Sequence, residues 1–250
     1  MARSYFDKFV GFHQLWVTDG KNVLHAVASF GSGAIQNLTT IGSRVFFSVE
    51  SAANGTELWT SDGTAAGTVL VKDINPGQGD SNPELLTNVN GTLYFAADDG
   101  TRGEELWKSD GTAAGTVMVK DIHLGEDGSY LLDLTNVNGK LYFEANDGVH
   151  GEELWKSNGT AAGTVMVKDI DPGENGPESG QETNVNGTLF SDTDDGVHGF
   201  ELWRSDGTAA GTVMVKDIDV GEGGSEPFDL TNVNGKLYFE AKDADHGIEL

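Results

Sequence analysis

Residues 104–122 read Glu-Glu-Leu-Trp-Lys-Ser-Asp-Gly-Thr-Ala-Ala-Gly-Thr-Val-Met-Val-Lys-Asp-Ile. The stretch recurs almost unchanged at 152–170 and 200–218, closely at 56–74, and more loosely at 13–20. One tryptophan marks each copy, at spacings of 43, 48, 48 and 48 residues: Trp16, Trp59, Trp107, Trp155 and Trp203. A fixed period in the forties indicates a repeat architecture, in which each repeat packs against its neighbours.

One repeat reads as four consecutive β-strands, which we name A to D. In the repeat that starts at residue 83 they are predicted at 83–90, 92–97, 104–109 and 116–122. The dipeptide Asn90-Gly91 separates A from B, and it is the strongest short hairpin signal because both positions tolerate positive φ. No window shows the 3.6-residue period of an amphipathic helix, so the sequence predicts an all-β fold.

The apolar residues of a repeat lie on both faces of its strands, as in Leu93-Tyr94-Phe95. A four-stranded antiparallel sheet of about 48 residues that is covered on both faces is typical of a β-propeller blade. We therefore expect the motif tryptophans from Trp59 onward to lie buried between blades. A parallel β-helix is the alternative, but its rungs are shorter and do not use Asn-Gly hairpins.

The two ends of the chain look complementary. Residues 1–12 form an N-terminal segment, and residues 13–250 are predicted to form a single propeller domain. The C-terminal residues supply strands A (227–234) and B (236–243), and the N-terminal residues supply C (13–18) and D (22–30). Together they would form one shared blade that closes a five-bladed ring. Within the repeat at 178–193 the apolar pattern is lost, so we expect weaker packing there.

The motif Glu-Leu-Trp-x-Ser-Asp-Gly-Thr-x-x-Gly-Thr-x-x-Val-Lys-Asp-Ile resembles a repeat of large secreted or surface proteins of bacteria. The likeness covers 13–250, nearly the whole chain. It implies a propeller-like extracellular module, and it implies no reaction.

The composition limits the partners of the protein. With 15 Lys and Arg against 40 Asp and Glu, the net charge is −25, which repels nucleic acid and anionic lipid and attracts cations. There is no cysteine and no long apolar run, so we expect neither disulfides nor insertion into a membrane. Residues 1–12 lack the apolar core of a secretory signal, so an extracellular or cell-surface location would need a signal from outside this chain.

The loops divide into a repetitive set and a variable set. In a propeller the A–B and C–D turns lie on one face, and the B–C and D–A loops lie on the other. The C–D turn 110–115 is interpreted as structural, because Asp110 can accept backbone N–H groups two residues on, while Gly111 and Gly115 can take positive φ. Sequence variation is confined to the other face, where we expect any ligand.

The B–C loops carry the candidate ligand-binding residues. The position five residues before each tryptophan from Trp59 onward holds a hydrogen-bonding side chain, with aspartates close by. The predicted set is Asp99, Arg102, Asp147, His150, Asp195, His198, Asp243 and His246. Imidazole and carboxylate groups match the paired hydroxyls of a sugar. The alternative is a solvated loop with only a local Asp–His contact.

The D–A loops are acidic and rich in glycine, which suits Ca²⁺. No cofactor is required by this sequence, but Ca²⁺ binding is predicted through a set of aspartates: Asp73, Asp121, Asp169, Asp171, Asp217 and Asp219. The alternative is that the aspartate of each Lys-Asp-Ile pairs with its own lysine.

No nucleophile elbow, phosphate loop or dinucleotide fingerprint occurs in the sequence. The sequence therefore favours a non-enzymatic extracellular β-propeller that binds carbohydrate or another polar cell-surface ligand, as a monomer or as part of a longer repeat array. The alternatives are a structural or adhesin spacer stiffened by calcium and, third, a propeller glycosidase or polysaccharide lyase.

Overall fold

The structure is a computed structural model that describes residues 4–9, 12–18, 24–173, 176–177, 179–221, 223–243 and 247–249. The chain divides into two compact units, 1–129 and 130–250, and each is described by itself. The described residues form 22 β-strands and one short 3₁₀ turn, Ala161–Gly163. The all-β prediction is confirmed.

The first unit holds three antiparallel sheets whose strands follow in chain order. They are sheet 1, with β1 (Ser4–Phe9), β2 (His13–Thr18) and β3 (Leu24–Ser29); sheet 2, with β4 (Ile35–Ile41), β5 (Arg44–Ser51), β6 (Gly55–Ser61) and β7 (Val69–Lys72); and sheet 3, with β8 (Glu84–Val89), β9 (Thr92–Asp98), β10 (Glu104–Ser109) and β11 (Val117–Lys120).

The second unit repeats the plan. It comprises sheet 4, with β12 (Leu132–Val137), β13 (Lys140–Asn146), β14 (Glu152–Ser157) and β15 (Val165–Lys168); sheet 5, with β16 (Ser179–Val185), β17 (Thr188–Asp194), β18 (Phe200–Ser205) and β19 (Val213–Lys216); and sheet 6, with β20 (Phe228–Val233), β21 (Lys236–Asp243) and β22 (Gly247–Glu249). Every pairing is antiparallel, which excludes the parallel β-helix for the described residues.

The A–B hairpins form as the Asn-Gly signal predicts. Asn90 and Gly91 both have positive φ, at 53° and 88°, and the Gly91 N–H donates to the Asn88 side chain at 2.9 Å. This turn twists in the same sense as the strands that it joins. It fixes the register of A against B and, with it, the face on which each side chain lies.

The predicted count of five blades is wrong: the described residues form six sheets. Strand β1 pairs with β2 from Ser4↔Thr18 to Phe9↔His13, so it fills the edge that the C-terminal B strand was expected to occupy. At the other end, β22 gives β21 a C strand of its own through Ala241↔Glu249. Because β2 and β21 each have both edges occupied by their own neighbours, the predicted shared blade does not form.

The core of the first unit lies between successive sheets. Val71 and Ile74 of sheet 2 pack with Phe95 and Trp107 of sheet 3 in one buried cluster. Lys72 extends the contact: its Nζ lies 5.5 Å from the Trp107 ring centre and donates to the next C–D turn. Lys72, the lysine of Lys-Asp-Ile in sheet 2, therefore reaches the following sheet.

The tryptophan prediction holds for three of the four rings. Trp107, Trp155 and Trp203 are buried, with 5–6% of their surface exposed. Trp59 is half-buried and packs edge-on against Phe30 at 5.2 Å between ring centres.

Within the repeat at 178–193, weaker packing is also found for the described residues, which begin at 179. In β13 five consecutive residues are buried, whereas in the equivalent β17 only Leu189 and Thr193 are. Ser191 stands where β13 has Phe143, and Glu182 stands where β12 has Leu134.

Candidate functional site

A buried glutamate in strand C is the feature that sequence reasoning missed. It occurs in sheets 2 to 5 with at most 1% of its surface exposed: Glu57, Glu105, Glu153 and Glu201. In sheet 3, Glu105 accepts the N–H of Ile122 at 2.9 Å, the N–H of His123 at 3.0 Å and the hydroxyl of Ser129 at 3.0 Å. The carboxylate thus ties the start and the end of the D–A loop to strand C. The only signal in the sequence was a glutamate just before the Leu-Trp pair in each of these four repeats.

Burial controls the protonation of these carboxyls. Desolvation raises the pKa of Glu105 to about 7 and that of Glu153 to about 8. The backbone N–H donors favour the charged form and lower the pKa, but desolvation outweighs them. Desolvation also raises the pKa of Glu57. A proton is therefore retained at these groups well above the pH at which an exposed glutamate loses it.

The structure joins the predicted ligand-binding residues and several predicted metal residues. We call this place the loop junction. In each of sheets 2 to 5 it consists of two residues: the one that lies five positions before the motif tryptophan, and the aspartate of the Lys-Asp-Ile segment. In sheet 2 the Asn54 amide donates to Asp73 at 3.2 Å. In sheet 3 the Arg102 guanidinium contacts Asp99 at 2.5 Å and Asp121 at 3.5 Å.

The loop junctions of sheets 4 and 5 carry histidines. His150 Nδ1 lies 2.8 Å from Asp147, and His198 Nδ1 lies 2.9 Å from Asp195. The hydrogen bond to its aspartate is the main reason why the pKa of each imidazole is raised, and Asp169 adds to the effect at His150. The two rings are 39% and 40% exposed, so they remain accessible.

The aspartates of the B–C loops also have a structural role. Asp147 Oδ1 accepts the N–H groups of Val149 and His150, both at 2.9 Å, and so shapes its own loop. Partial burial raises the pKa of Asp147, but hydrogen bonds from the His150 backbone and ring outweigh it, and the net shift is downward. The local Asp–His contact that we considered as an alternative is therefore present.

The aspartates of Lys-Asp-Ile each keep one buried oxygen without a hydrogen-bond partner. The four oxygens are Oδ1 of Asp73, Asp121, Asp169 and Asp217. Each of the first three also lies close enough to the buried glutamate of its sheet to raise the pKa of that glutamate. Across the part of the chain that the structure describes, no three His, Cys, Asp or Glu side chains are grouped as a metal ion would require.

The remaining predicted residues lie apart from this arrangement. Asp171 reaches the B–C loop of sheet 5, where a Cβ on Gly196 would come within 2.7 Å of its carboxylate. Asp219 donates its backbone N–H to Glu201 at 3.2 Å. Asp243 ends β21, and His246 lies outside the described residues.

The C–D turns are structural, as predicted. Asp110 accepts the Thr112 hydroxyl at 2.7 Å and the Thr112 N–H at 2.9 Å, and these bonds lower its pKa. Gly111 has φ of 89°. Gly115 does not have the positive φ that we predicted; a Cβ there would instead lie 2.1 Å from the Asp110 carboxylate, which favours glycine at this position.

The second unit also holds a cluster of acidic side chains that departs from the repeat pattern. Glu182 and Glu144 approach each other, together with Asp133, and burial raises the pKa of Glu144 to about 7 and that of Glu182 well above its ordinary value. Oε2 of Glu182 is buried without a hydrogen-bond partner. Asp192 adds a further negative charge beside Glu144.

Comparison with known proteins identifies the fold alone. No protein-family model matches the chain, and no curated protein does. Among solved structures, prolyl oligopeptidase B from Galerina marginata matches with a TM-score of 0.58 at 10% identity, over 96% of this chain and 36% of the peptidase. A prolyl endopeptidase matches at 0.55 and 11% identity, over 96% and 37%. A puromycin hydrolase matches at 0.51 and 15% identity, over 94% and 39%.

The chain thus spans little more than a third of the length of these peptidases, and the matched part is their β-propeller domain. Repeated antiparallel sheets and this likeness together define a propeller type of fold. Within the described residues, no helix is both long and apolar enough to span a membrane.

Proposed function

We propose that this protein is a non-enzymatic, extracellular β-propeller module that binds carbohydrate or another polar surface ligand at its loop junctions. The observation that carries the proposal is the repetition of the junction: a half-exposed Arg or His is held by the aspartate three residues before it at the same position in sheets 3, 4 and 5. Such repetition suits a ligand that is itself repetitive.

Each histidine keeps one nitrogen for a ligand. With Nδ1 bonded to the aspartate, the neutral ring donates from Nδ1 and presents Nε2 as an acceptor. Val149 and Val197, the residues just before the histidines, are 65% and 64% exposed. An acceptor nitrogen beside a small apolar surface can receive a hydroxyl and a C–H face of a sugar ring.

Multivalency supplies the affinity in this proposal. One junction offers few contacts, so a single site would bind weakly. Several junctions on one folded chain gain avidity of roughly 10²–10⁴ on a surface that displays many copies of the ligand.

The double variant His150→Ala with His198→Ala is expected to lose most binding to an immobilised glycan surface at pH 7.5. Wild-type binding should change between pH 7.5 and 5.5, because the aspartates raise the histidine pKa and protonation removes the Nε2 acceptor. His25→Ala, at an exposed position in β3, is the matched control. Equal binding of the double variant and the wild type at both pH values would contradict the proposal and favour a spacer.

A calcium-stiffened spacer or adhesin segment is the second candidate. The four orphaned Asp Oδ1 atoms favour it, since Ca²⁺ takes carboxylate and carbonyl oxygens. The backbone N–H donors around each buried glutamate argue against the calcium candidate, because they already supply hydrogen bonds to that carboxylate. In this reading the ion would complete its coordination with loop carbonyls and water.

Calcium is expected to raise the melting temperature if this second candidate is correct. At a tenfold excess of free Ca²⁺ over Kd, each site would stabilise the fold by about 1.4 kcal/mol. The measurement compares thermal unfolding in EDTA, Mg²⁺ and Ca²⁺, with Asp121→Asn as the site variant. Identical melting curves in all three conditions would remove calcium from the proposal.

A further inference from the structure

A groove on sheet 4 brings two lysines together with an amide, beside the turn that joins β14 to β15. We call it the lysine groove. Its volume is about 250 Å³, and its lining consists of Lys140, Lys156, Ser157, Asn158, Gly163 and Val165. Lys140, Asn158 and Val165 are exposed, so the groove opens to solvent. A space of this size suits a small ligand or one group of a larger ligand.

The strand register explains why the polar groups of the lysine groove lie together. Leu141 and Ser157 form the last pair of β13 and β14 at this end of the sheet. Lys140 and Asn158 come one residue further along each strand, so they are neighbours just beyond that pair. Lys156 lies two residues before Asn158, and alternate residues of a strand project from the same face.

The charge of these three positions differs between the sheets. Sheets 2, 3 and 5 each carry one base and one acid there: Arg44, Thr60 and Asp62 in sheet 2; Thr92, Lys108 and Asp110 in sheet 3; Thr188, Arg204 and Asp206 in sheet 5. Sheet 4 carries two bases and no acid, because Asn158 replaces the aspartate. The lysine groove is therefore positive at these positions, in a chain whose net charge is −25.

In the other sheets the acid and the base of this set act on each other. Hydrogen bonds from the turn threonine are the main cause that lowers the pKa of Asp62, and the charge of Arg44 adds to them. The pKa of Asp206 is lowered in the same way, with Arg204 as the base. Both positions that hold lysine in sheet 4 thus lie within electrostatic reach of the turn aspartate where it is present. Within the described part of the chain, neither lysine of the groove forms an ion pair.

The groups that face the lysine groove are hydrogen-bond donors. Lys156 Nζ donates to the carbonyl of Gly207 at 2.6 Å, which positions the ammonium group and leaves its other N–H groups for a ligand. Asn158 Oδ1 accepts the N–H of Thr160 at 3.1 Å and its hydroxyl at 2.7 Å. The Nδ2 group of Asn158 is thereby directed away from the turn, and a Cβ on Gly163 would clash with this amide.

We propose that the lysine groove binds a small tetrahedral oxyanion, the phosphate or sulfate group of an ester. Two ammonium groups and one amide supply donors for its oxygens, and lysine commonly binds phosphate as a point charge. The negative charge of the whole chain repels nucleic acid and anionic membranes, so the ligand is a small molecule. His150 precedes β14 and Asn158 follows it, so this site and the loop junction lie at opposite ends of the strand.

The test follows the amide chemical shifts of the isotope-labelled full chain during titration with inorganic phosphate, with ionic strength held constant by chloride. We expect saturable shifts at Asn158, Gly163 and Val165. Asn158→Asp should weaken the affinity at least about tenfold, because it removes a donor and adds a negative charge. The turn itself should be preserved, since Asp110 makes the same turn in sheet 3. A parallel titration with sulfate identifies the ester as the one whose anion binds more tightly.

Lys236→Gln is the matched control for Lys140→Gln, since it removes the same charge from the equivalent exposed position of sheet 6. Lys140→Gln should weaken binding several-fold, and Lys236→Gln should leave it unchanged. The double variant Thr92→Lys with Asp110→Asn gives sheet 3 the residues of sheet 4 and should add a second site, with shifts in its own C–D turn.

Shifts that do not saturate, or equal affinity of Asn158→Asp and the wild type, would overturn the proposal. Acetate that binds as tightly as phosphate would also overturn it, because the groove would then not select a tetrahedral anion. The histidines of the loop junction take no part in any of these measurements, so the outcome is separate from that of the glycan-binding test.

Discussion

Replacement of Trp107 by alanine is expected to lower the free energy of unfolding by about 3–5 kcal/mol. The ring is 5% exposed and belongs to a buried cluster with Phe95 of its own sheet and with Leu58, Val71 and Ile74 of sheet 2. Its removal leaves a cavity between two sheets, and it also removes the ring over which the Lys72 ammonium lies. The contacts of the apolar cluster and the contact with Lys72 both belong to the interface between sheets 2 and 3, so the substitution weakens that interface.

Urea unfolding followed by circular dichroism measures the effect, and Trp107→Phe is the matched control. Phenylalanine keeps an aromatic ring in the cluster, so the loss should be clearly smaller than for alanine. Hydrogen exchange should localise the destabilisation to sheets 2 and 3. A loss below about 1 kcal/mol for alanine would mean that this cluster does not hold the two sheets together.

The strands were predictable because they depend on local chemistry. The Asn-Gly dipeptides fix the A–B hairpins, and the 48-residue period places each strand, so the predicted range 92–97 corresponds to the observed Thr92–Asp98. The C–D turn was equally readable from Asp110 and Gly111, whose partners lie within a few residues. Such features can be predicted from sequence because all the residues that form them lie within one repeat.

The number of sheets depends on pairings between segments that are weak in sequence. The residues Ser4-Tyr5-Phe6-Asp7 only faintly resemble a B strand, yet β1 pairs with β2 along its whole length. The three residues of β22 are enough to begin a C strand. Counting the repeats by their tryptophans misses both segments, because neither segment contains a tryptophan.

The role of the buried glutamates could not be read from the motif. A charged residue in a strand is usually assigned to the solvent face, but Glu105 receives its N–H donors from Ile122 and His123, 17 and 18 residues later. Only the folded D–A loop brings these donors to the carboxylate. By contrast, the loop-junction residues were found from sequence because they vary at one aligned position, although the contacts of Asn54 with Asp73 and of Arg102 with Asp121 were not foreseen.

Replacement of Glu182 by leucine is expected to stabilise the second unit by about 1–4 kcal/mol near pH 8. The equivalent position holds leucine in every other A strand: Leu38, Leu86, Leu134 and Leu230. Glu182 instead places a carboxyl beside Glu144 and Asp133, with Oε2 buried and unpartnered. Leucine removes that cost and restores the apolar pattern of the strand.

The gain should shrink as the pH falls, and the sign follows from the pKa shifts. Burial raises the pKa of Glu182 well above 4.5 and that of Glu144 to about 7, so the folded protein retains protons that the unfolded chain releases. Stability from these groups is fully present below pH 4.5 and is lost as the pH rises through their folded values. Urea unfolding of wild type and Glu182→Leu at pH 4.5, 6 and 8 should therefore show the largest difference at pH 8. The exposed Glu84→Leu in β8 is the control and should change little at any pH. A difference that is independent of pH would show that Glu182 acts only through lost packing and not through its charge.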